Sequence, residues 1–217
     1  MSQAVGIIAD IVGSREMADR AAAQRAIAEV FAEAETAVPP VRAAWATVGD
    51  EFQVVVESWQ DALRVILRVQ VLLPDEIQLR YGIGAGEIRT IEEGESGPIQ
   101  DGAAWLHARA AIEDVEGRQQ RRDEVLTGFR CDDIDLVAAV NAQLVVRDHV
   151  VARMKARERR LLAALLFGST QQEAAQAERI SQAAVSQALH RSGAMALLEA
   201  DDMLAVSSDA EGPKEGF

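Results

Sequence analysis

From Val5 to Ile88 the chain alternates between short apolar runs and longer stretches with apolar residues at helical spacing, and this alternation limits its fold most. Val5–Ile8 and its flanks form an apolar run before Asp10, the pattern of a buried strand. Arg15–Val38 is Ala-rich, with Ala22, Ile27, Val30, Phe31 and Ala34 on one helical face, and Pro39–Pro40 ends it. Val41–Val48 and Glu51–Glu57 read as two strands around Gly49–Asp50, a tight hairpin signal. Trp59–Leu73 is a strongly apolar helix stopped by Pro74, and Ile77–Ile88 is a strand with glycines at 82, 84 and 86. The resulting order, β-α-β-β-α-β, is the ferredoxin-like arrangement of an α+β domain. Its first and third strands are adjacent and antiparallel.

Beyond Ile88, Thr90–Gln100 reads as a Gly- and Glu-rich loop, and a helix opens at Asp101 or Gly102 and runs to about Glu116. A polar break at Arg118–Arg122, a short strand within Glu124–Arg130 and mostly helical chain over Asp132–Phe167 follow. The expected organisation is an α+β domain over 1–131, a helical connector over 132–156, an all-α domain over 157–206 and a disordered tail over 207–217.

The antiparallel pairing has a chemical consequence. The end of the first strand carries Asp10 and the start of the third carries Asp50 and Glu51, so three carboxylates from distant positions converge at one sheet edge. Like charges so placed are unfavourable unless a cation sits between them or one carboxylate is protonated. Hard oxygen donors suit Mg²⁺ or Mn²⁺ with bound phosphates, and the Ile11 carbonyl can add a ligand. Val12, Gly13, Ser14 and Arg15 lead the strand into a helix whose first N–H groups can hold a nucleoside triphosphate, with Gly49 opposite. Singly, Asp10 also suits a helix cap and Gly49–Asp50 a turn. Arg109 lies one turn from Trp105 and from Glu113; it either pairs with Glu113 on the surface or ligates phosphate.

The C-terminal third carries another pattern. Gly168 ends one helix, Thr170-x-x-Glu173 is a capping box for a second, and Ser181 caps a third that closes at Gly193. This is the spacing of a helix-turn-helix, with Ala174 and Ala175 small for close packing and Val185 and Leu189 facing the core. Gln182, Ser186, Gln187 and His190 are then placed to read DNA base edges and Arg191 to touch phosphate. Arg153, Lys155, Arg157, Arg159 and Arg160 supply positive charge nearby. The turn lacks a glycine, and a plain helical bundle used for dimerisation is the other reading.

Three blocks, A-D-I-V-G-S-R at 9–15, V-G-D-E-F-Q at 48–53 and R-Y-G-I-G-A-G-E-I at 80–88, resemble those of the nucleotide-cyclase and GGDEF palm superfamily. Together with G-P-I-Q-D-G-A-A-W-L-H-A-R-A-A-I-E at 97–113 and the C-terminal pattern, they resemble the SatD family over residues 4–200. The resemblance implies a cyclase-type palm with a two-metal site at Asp10 and Asp50, Arg109 approaching the phosphates, and a DNA-binding module. The chain departs from the cyclase pattern where Trp105–Leu106 stand in place of an Asn one turn before the Arg, and Val48 in place of the first glycine of GGDEF. These departures favour nucleotide binding over cyclisation.

Charge refines the expectation. The net of −13 argues against nucleic-acid binding as a total. Residues 1–146 carry −12, residues 147–200 carry +3 and residues 201–217 carry −4, so the mildly basic segment coincides with the helix-turn-helix. A single cysteine, Cys131, excludes an internal disulfide framework, and no apolar run is long enough to span a membrane. With no basic, signal-like N-terminus the expected location is cytoplasmic. The expected function is a homodimeric regulator that binds nucleotide with Mg²⁺ in one domain and DNA in the other. The alternatives are an active nucleotidyl cyclase or related nucleotidyltransferase using two metals, and a catalytically silent dimerising scaffold.

Overall fold

A computed structural model describes residues 4–17, 19–47, 50–94, 97–119 and 124–210. Strands β1 (Ala4–Ile11), β2 (Arg42–Ala46), β3 (Glu51–Val56) and β4 (Leu79–Gly86) alternate with helices α1 (Arg20–Ala37) and α2 (Trp59–Leu72) in the expected order. They form one sheet in the order β2-β3-β1-β4, extended at the β4 edge by β7 (Thr127–Arg130), which pairs parallel to β4. The molecule is thus a mixed α+β structure on a five-stranded sheet.

Alternation along β1 decides what covers each face. Val5, Ile7, Ala9 and Ile11 join Ile27 and Phe31 of α1, Ile66 and Val69 of α2, and Val140 and Leu144 of α4 (Ile134–Ala152) in the main core. Ile8 points the other way, onto Ala108 and Ile112 of α3 (Ala103–Gln119). The glycines of β4 explain how close α3 comes. A Cβ on Gly82 would lie 2.2 Å from the Ala108 carbonyl oxygen, and one on Gly84 2.0 Å from that of Ala104. Helix and sheet therefore meet main chain to main chain across a glycine stripe on one side and Ala104, Ala108 and Ala111 on the other.

Three sequence expectations change. The first helix begins at Arg20 and not Arg15, five residues further on: Ser14–Glu16 is a single 3-10 turn, and the Asp19 carboxylate caps α1 by accepting from the Ala22 N–H at 2.8 Å. The stretch read as a loop is a hairpin of β5 (Arg89–Gly94) and β6 (Gly97–Asp101). After Gly193 the chain continues as α8 (Ala194–Ala210), into the stretch read as a tail. Val48, the end of the expected second strand, Gly49 of the expected turn, and residues 211–217 lie outside the described residues.

The C-terminal helices α5 (Ala156–Leu166), α6 (Gln171–Glu178), α7 (Gln182–Ser192) and α8 share a second core with α2, through Leu67 and Val71. Arg68 of α2, almost fully buried, donates to both carboxylate oxygens of Asp201 at 2.7 and 2.8 Å and to the Leu166 carbonyl at 3.1 Å. On the other side of α2, buried Asp148 of α4 accepts from the N–H groups of Leu126 and Thr127, from Gln70 and from Arg147, clamping the start of β7. No helix among the described residues is long and apolar enough to cross a membrane.

Candidate functional site

The register of the sheet builds the site. Asp10 is the direct partner of Glu51 on β3 and of Arg80 on β4. All three side chains stand on the α3 side, so one cross-strand row reads Glu51, Asp10, Arg80. Helix α3 closes both ends of the row, with Arg109 on Glu51 at 2.7 Å and Glu116 on Arg80 at 3.0 Å. Arg80 also reaches Asp10 at 2.6 Å, and Arg20 of α1 lies 3.6 Å from Asp50. Every carboxylate of the expected set therefore faces an arginine.

Burial and neighbouring charge set the electrostatics. Asp10 is held above its usual carboxylate range, first by burial, against the opposing pull of Arg80, with Asp50 and Glu51 adding repulsion. The Arg109 guanidinium is held even more firmly protonated, chiefly by its hydrogen bond to Glu51.

A cleft of about 660 Å³ opens beside this row, lined by Asp10, Ile11, Gly13, Ser14, Glu16, Arg20, Asp50, Arg80 and Glu116. Five expected site residues (Asp10, Ile11, Gly13, Ser14 and Asp50) meet there. Glu51, Arg109 and the half-buried Val12 are not in its lining; Arg109 pairs with Glu51, neither with its helical neighbour Glu113 nor with an open pocket. Gly13 takes a left-handed conformation (φ 68°) with open space around it, so the cleft wall here is bare backbone. The turn that follows has three residues, so the helix N-terminus expected at Val12–Arg15 to receive phosphate is not there. Gly49 lies outside the described residues.

Arg20, Arg80, Glu16 and Glu116 are lining residues that sequence reasoning missed. Arg80 was within reach of the rule that paired Asp10 with Asp50 and Glu51, since β4 is also antiparallel to β1. Arg20 was hidden by placing the helix start too early.

The donor set fits a hard divalent cation. Mg²⁺ is commonly held by one or two carboxylates together with waters and ligand phosphates, and Asp10 and Asp50 supply two carboxylates in one cleft. Among the described residues no group of three or more His, Cys, Asp or Glu is placed to hold a metal ion by itself.

In the C-terminal helices, the Thr170 hydroxyl and the Glu173 carboxylate cap α6 reciprocally, and Ser181 caps α7. The turn between them is made by Arg179 in a left-handed conformation (φ 55°), where the sequence has no glycine. Gln182, Gln187, His190 and Arg191 are exposed on α7, and Ser186 is partly so. The positive charge expected nearby is partly spent internally: Arg157 and Arg160 pair with Glu178, and Arg159 pairs with Asp75. Arg153, Lys155 and Arg179 pair with no carboxylate among the described residues.

A family model described as SatD family matches residues 4–201. No curated protein matches the chain. Similar solved structures include an adenylate cyclase from Trypanosoma brucei in its monomeric state (18% identity, 53% of this chain and 70% of that one, TM-score 0.38). The adenylyl cyclase CyaB from P. aeruginosa shares 14% identity over 50% of this chain and 70% of that one, with a TM-score of 0.36. A regulator of polyketide synthase expression from Bifidobacterium adolescentis shares 12% over 95% and 81%, with a TM-score of 0.28. Scores this low assign no activity. The family match takes in both the sheet and the C-terminal helices, and the chain belongs to the SatD family.

Proposed function

We propose that this protein is a nucleotide-responsive, DNA-binding transcriptional regulator whose cleft takes a nucleoside triphosphate with Mg²⁺ or Mn²⁺. The observation that carries the reading is the pair of Asp10 with Arg80 and the pair of Asp50 with Arg20, which line one open cleft. Carboxylates and guanidiniums face each other there, so a ligand that brings both a cation and phosphates satisfies both sets. Arg20 and Arg80 turn from carboxylate to phosphate, for which the guanidinium fork is equally suited. Asp10 and Asp50, so released, hold the cation, which screens the triphosphate charge. Arg109 stays on Glu51 and fixes the position of α3 over the row.

The second half of the reading is a helix-turn-helix formed by α6, the Arg179 turn and α7. Its support is the pair of capped helices and the exposed Gln182, Gln187 and His190 with Ser186, residue types that read base edges, with Arg191 for phosphate. Both halves pack on α2, so the nucleotide signal passes through a shared helix and not along a loose linker.

The cleft is tested by thermal shift with ATP and GTP in the presence of Mg²⁺ or Mn²⁺. A cation-dependent rise in Tm, lost in Asp10→Asn and Asp50→Asn and weakened in Arg80→Gln, is expected; no shift at millimolar ligand removes the nucleotide reading in favour of a scaffold. Chromatography of the same mixtures reports turnover, and conversion abolished by Asp10→Asn would replace binding by nucleotidyl transfer. Gel shift on DNA upstream of the protein's own gene tests the other half: salt-sensitive binding reduced by Gln187→Ala and Arg191→Ala is expected, and no binding at low salt overturns it.

A further inference from the structure

Helix α4 has an outer face unlike that of a solvated helix. Its inner residues Val140, Leu144, Arg147, Asp148 and Val151 are buried. On the outer side, from Leu136 to Asp148, no charged residue is exposed: Ala138, Ala139, Ala142 and Val146 face solvent, flanked by half-buried Gln143 and Val145. Ile134 and Val146 are 79% and 64% exposed. An outer helix face without charge over several turns is ordinarily covered. The stretch without exposed charge is about 20 Å long at 1.5 Å per residue.

Charge returns only at the two ends, and with opposite sign. The N-terminal end carries Asp132, Asp133 and Asp135. Asp133 caps the helix, Asp132 lies 3.5 Å from His107 with its side chain 97% exposed, and Asp135 is exposed. At the C-terminal end Arg153 and Lys155 are exposed and pair with no carboxylate among the described residues. His149 there is paired with Glu124.

We propose that the outer face of α4 is the interface of a homodimer, with two copies of α4 packed antiparallel about a twofold axis at Ala142. A twofold interface must be self-complementary, residue i meeting j while j meets i. Centred on Ala142, this face meets that condition. Ala138 opposes Val146, small against large, and the alanines let the helices approach closely. Each acidic end then faces the other copy's Arg153 and Lys155, and the two helix dipoles run in opposite directions. A parallel pairing would instead set like charges against each other at both ends. The proposal does not depend on the cleft or on DNA.

The test is light scattering coupled to size exclusion on the full chain over a range of concentrations. A concentration-dependent dimer is expected. Ala142→Glu sets two carboxylates against each other on the axis and should raise the dimer Kd by about tenfold or more. Asp135→Arg and Arg153→Asp should each weaken the dimer, and the double variant should restore it. Because Ala142 is exposed, its variants keep the fold, checked by circular dichroism. In a Cys131→Ser background, Ala142→Cys should form a disulfide-linked dimer under mild oxidation while Ala196→Cys, exposed on α8, should not. A chain that stays monomeric at all concentrations, a dimer indifferent to Ala142→Glu, or equal cross-linking from position 196 overturns the proposal.

Discussion

Individual positions differ sharply in what they tolerate. Gly84 has no room: a methyl there meets the Ala104 carbonyl oxygen at 2.0 Å and the Ala108 nitrogen at 2.3 Å. Gly84→Ala is therefore expected to cost at least about 3 kcal/mol, the upper part of the range for overpacking, or to prevent folding, as read by urea denaturation. Arg179 is the opposite case. It is the one non-glycine residue at positive φ among the described residues, so Arg179→Gly should leave stability unchanged or raise it by up to about 1 kcal/mol. Asp10 separates function from stability. Burial and the repulsion of Asp50 and Glu51 both oppose its charge, so Asp10→Asn should hold the Tm of the ligand-free protein near the parent's while abolishing the cation-dependent shift.

At the scale of elements, α6 depends on its N-terminal cap. The Glu173 carboxylate accepts from the Thr170 N–H at 2.7 Å and from its hydroxyl at 2.8 Å, which holds its carboxyl below the usual range. A group whose pKa falls on folding stabilises the fold above its unfolded pKa, and that contribution is lost as pH drops through the folded value. Stability measured from neutral pH into the acid range should therefore fall more steeply in the parent than in Glu173→Gln. Thr170→Ala should cost about 1 kcal/mol at neutral pH. Caps of this kind are also why α6 and α7 were legible in the sequence, as were β1 to β4 from apolar period and proline stops. The β5–β6 hairpin was not, because its residues are polar and glycine-rich and it pairs only with itself. Nor was α8, whose start directly after Gly193 bears no side-chain signal. The site followed the same logic: Asp10 and Asp50 stand at strand ends that topology brings together, whereas Arg20 needed the true helix start, set by Asp19.

For the molecule as a whole, α2 joins two cores, and no boundary falls cleanly between them. One cooperative unfolding transition is expected in calorimetry, with far-ultraviolet dichroism and tryptophan fluorescence coincident. Asp201→Ala strands the Arg68 charge in the interior and should cost about 3–5 kcal/mol, whereas Arg68→Met with Asp201→Leu should cost far less. A last consequence lies in the glycine stripe beneath α3. Where backbone rests on backbone there are no rotamers to yield, and Ile8 against Ile112, Trp105 against Trp45 and His107 on the Ala85 carbonyl hold the helix laterally as well. Arg109 and Glu116 ride on that helix. Helix and sheet should thus stay together as one stiff block when ligand binds, leaving the change to the side chains of the cleft and the Gly13 turn. Distances between spin labels on Leu106 and Val41, both exposed, should therefore be unchanged by nucleotide, and a changed separation will show that the helix moves on the sheet.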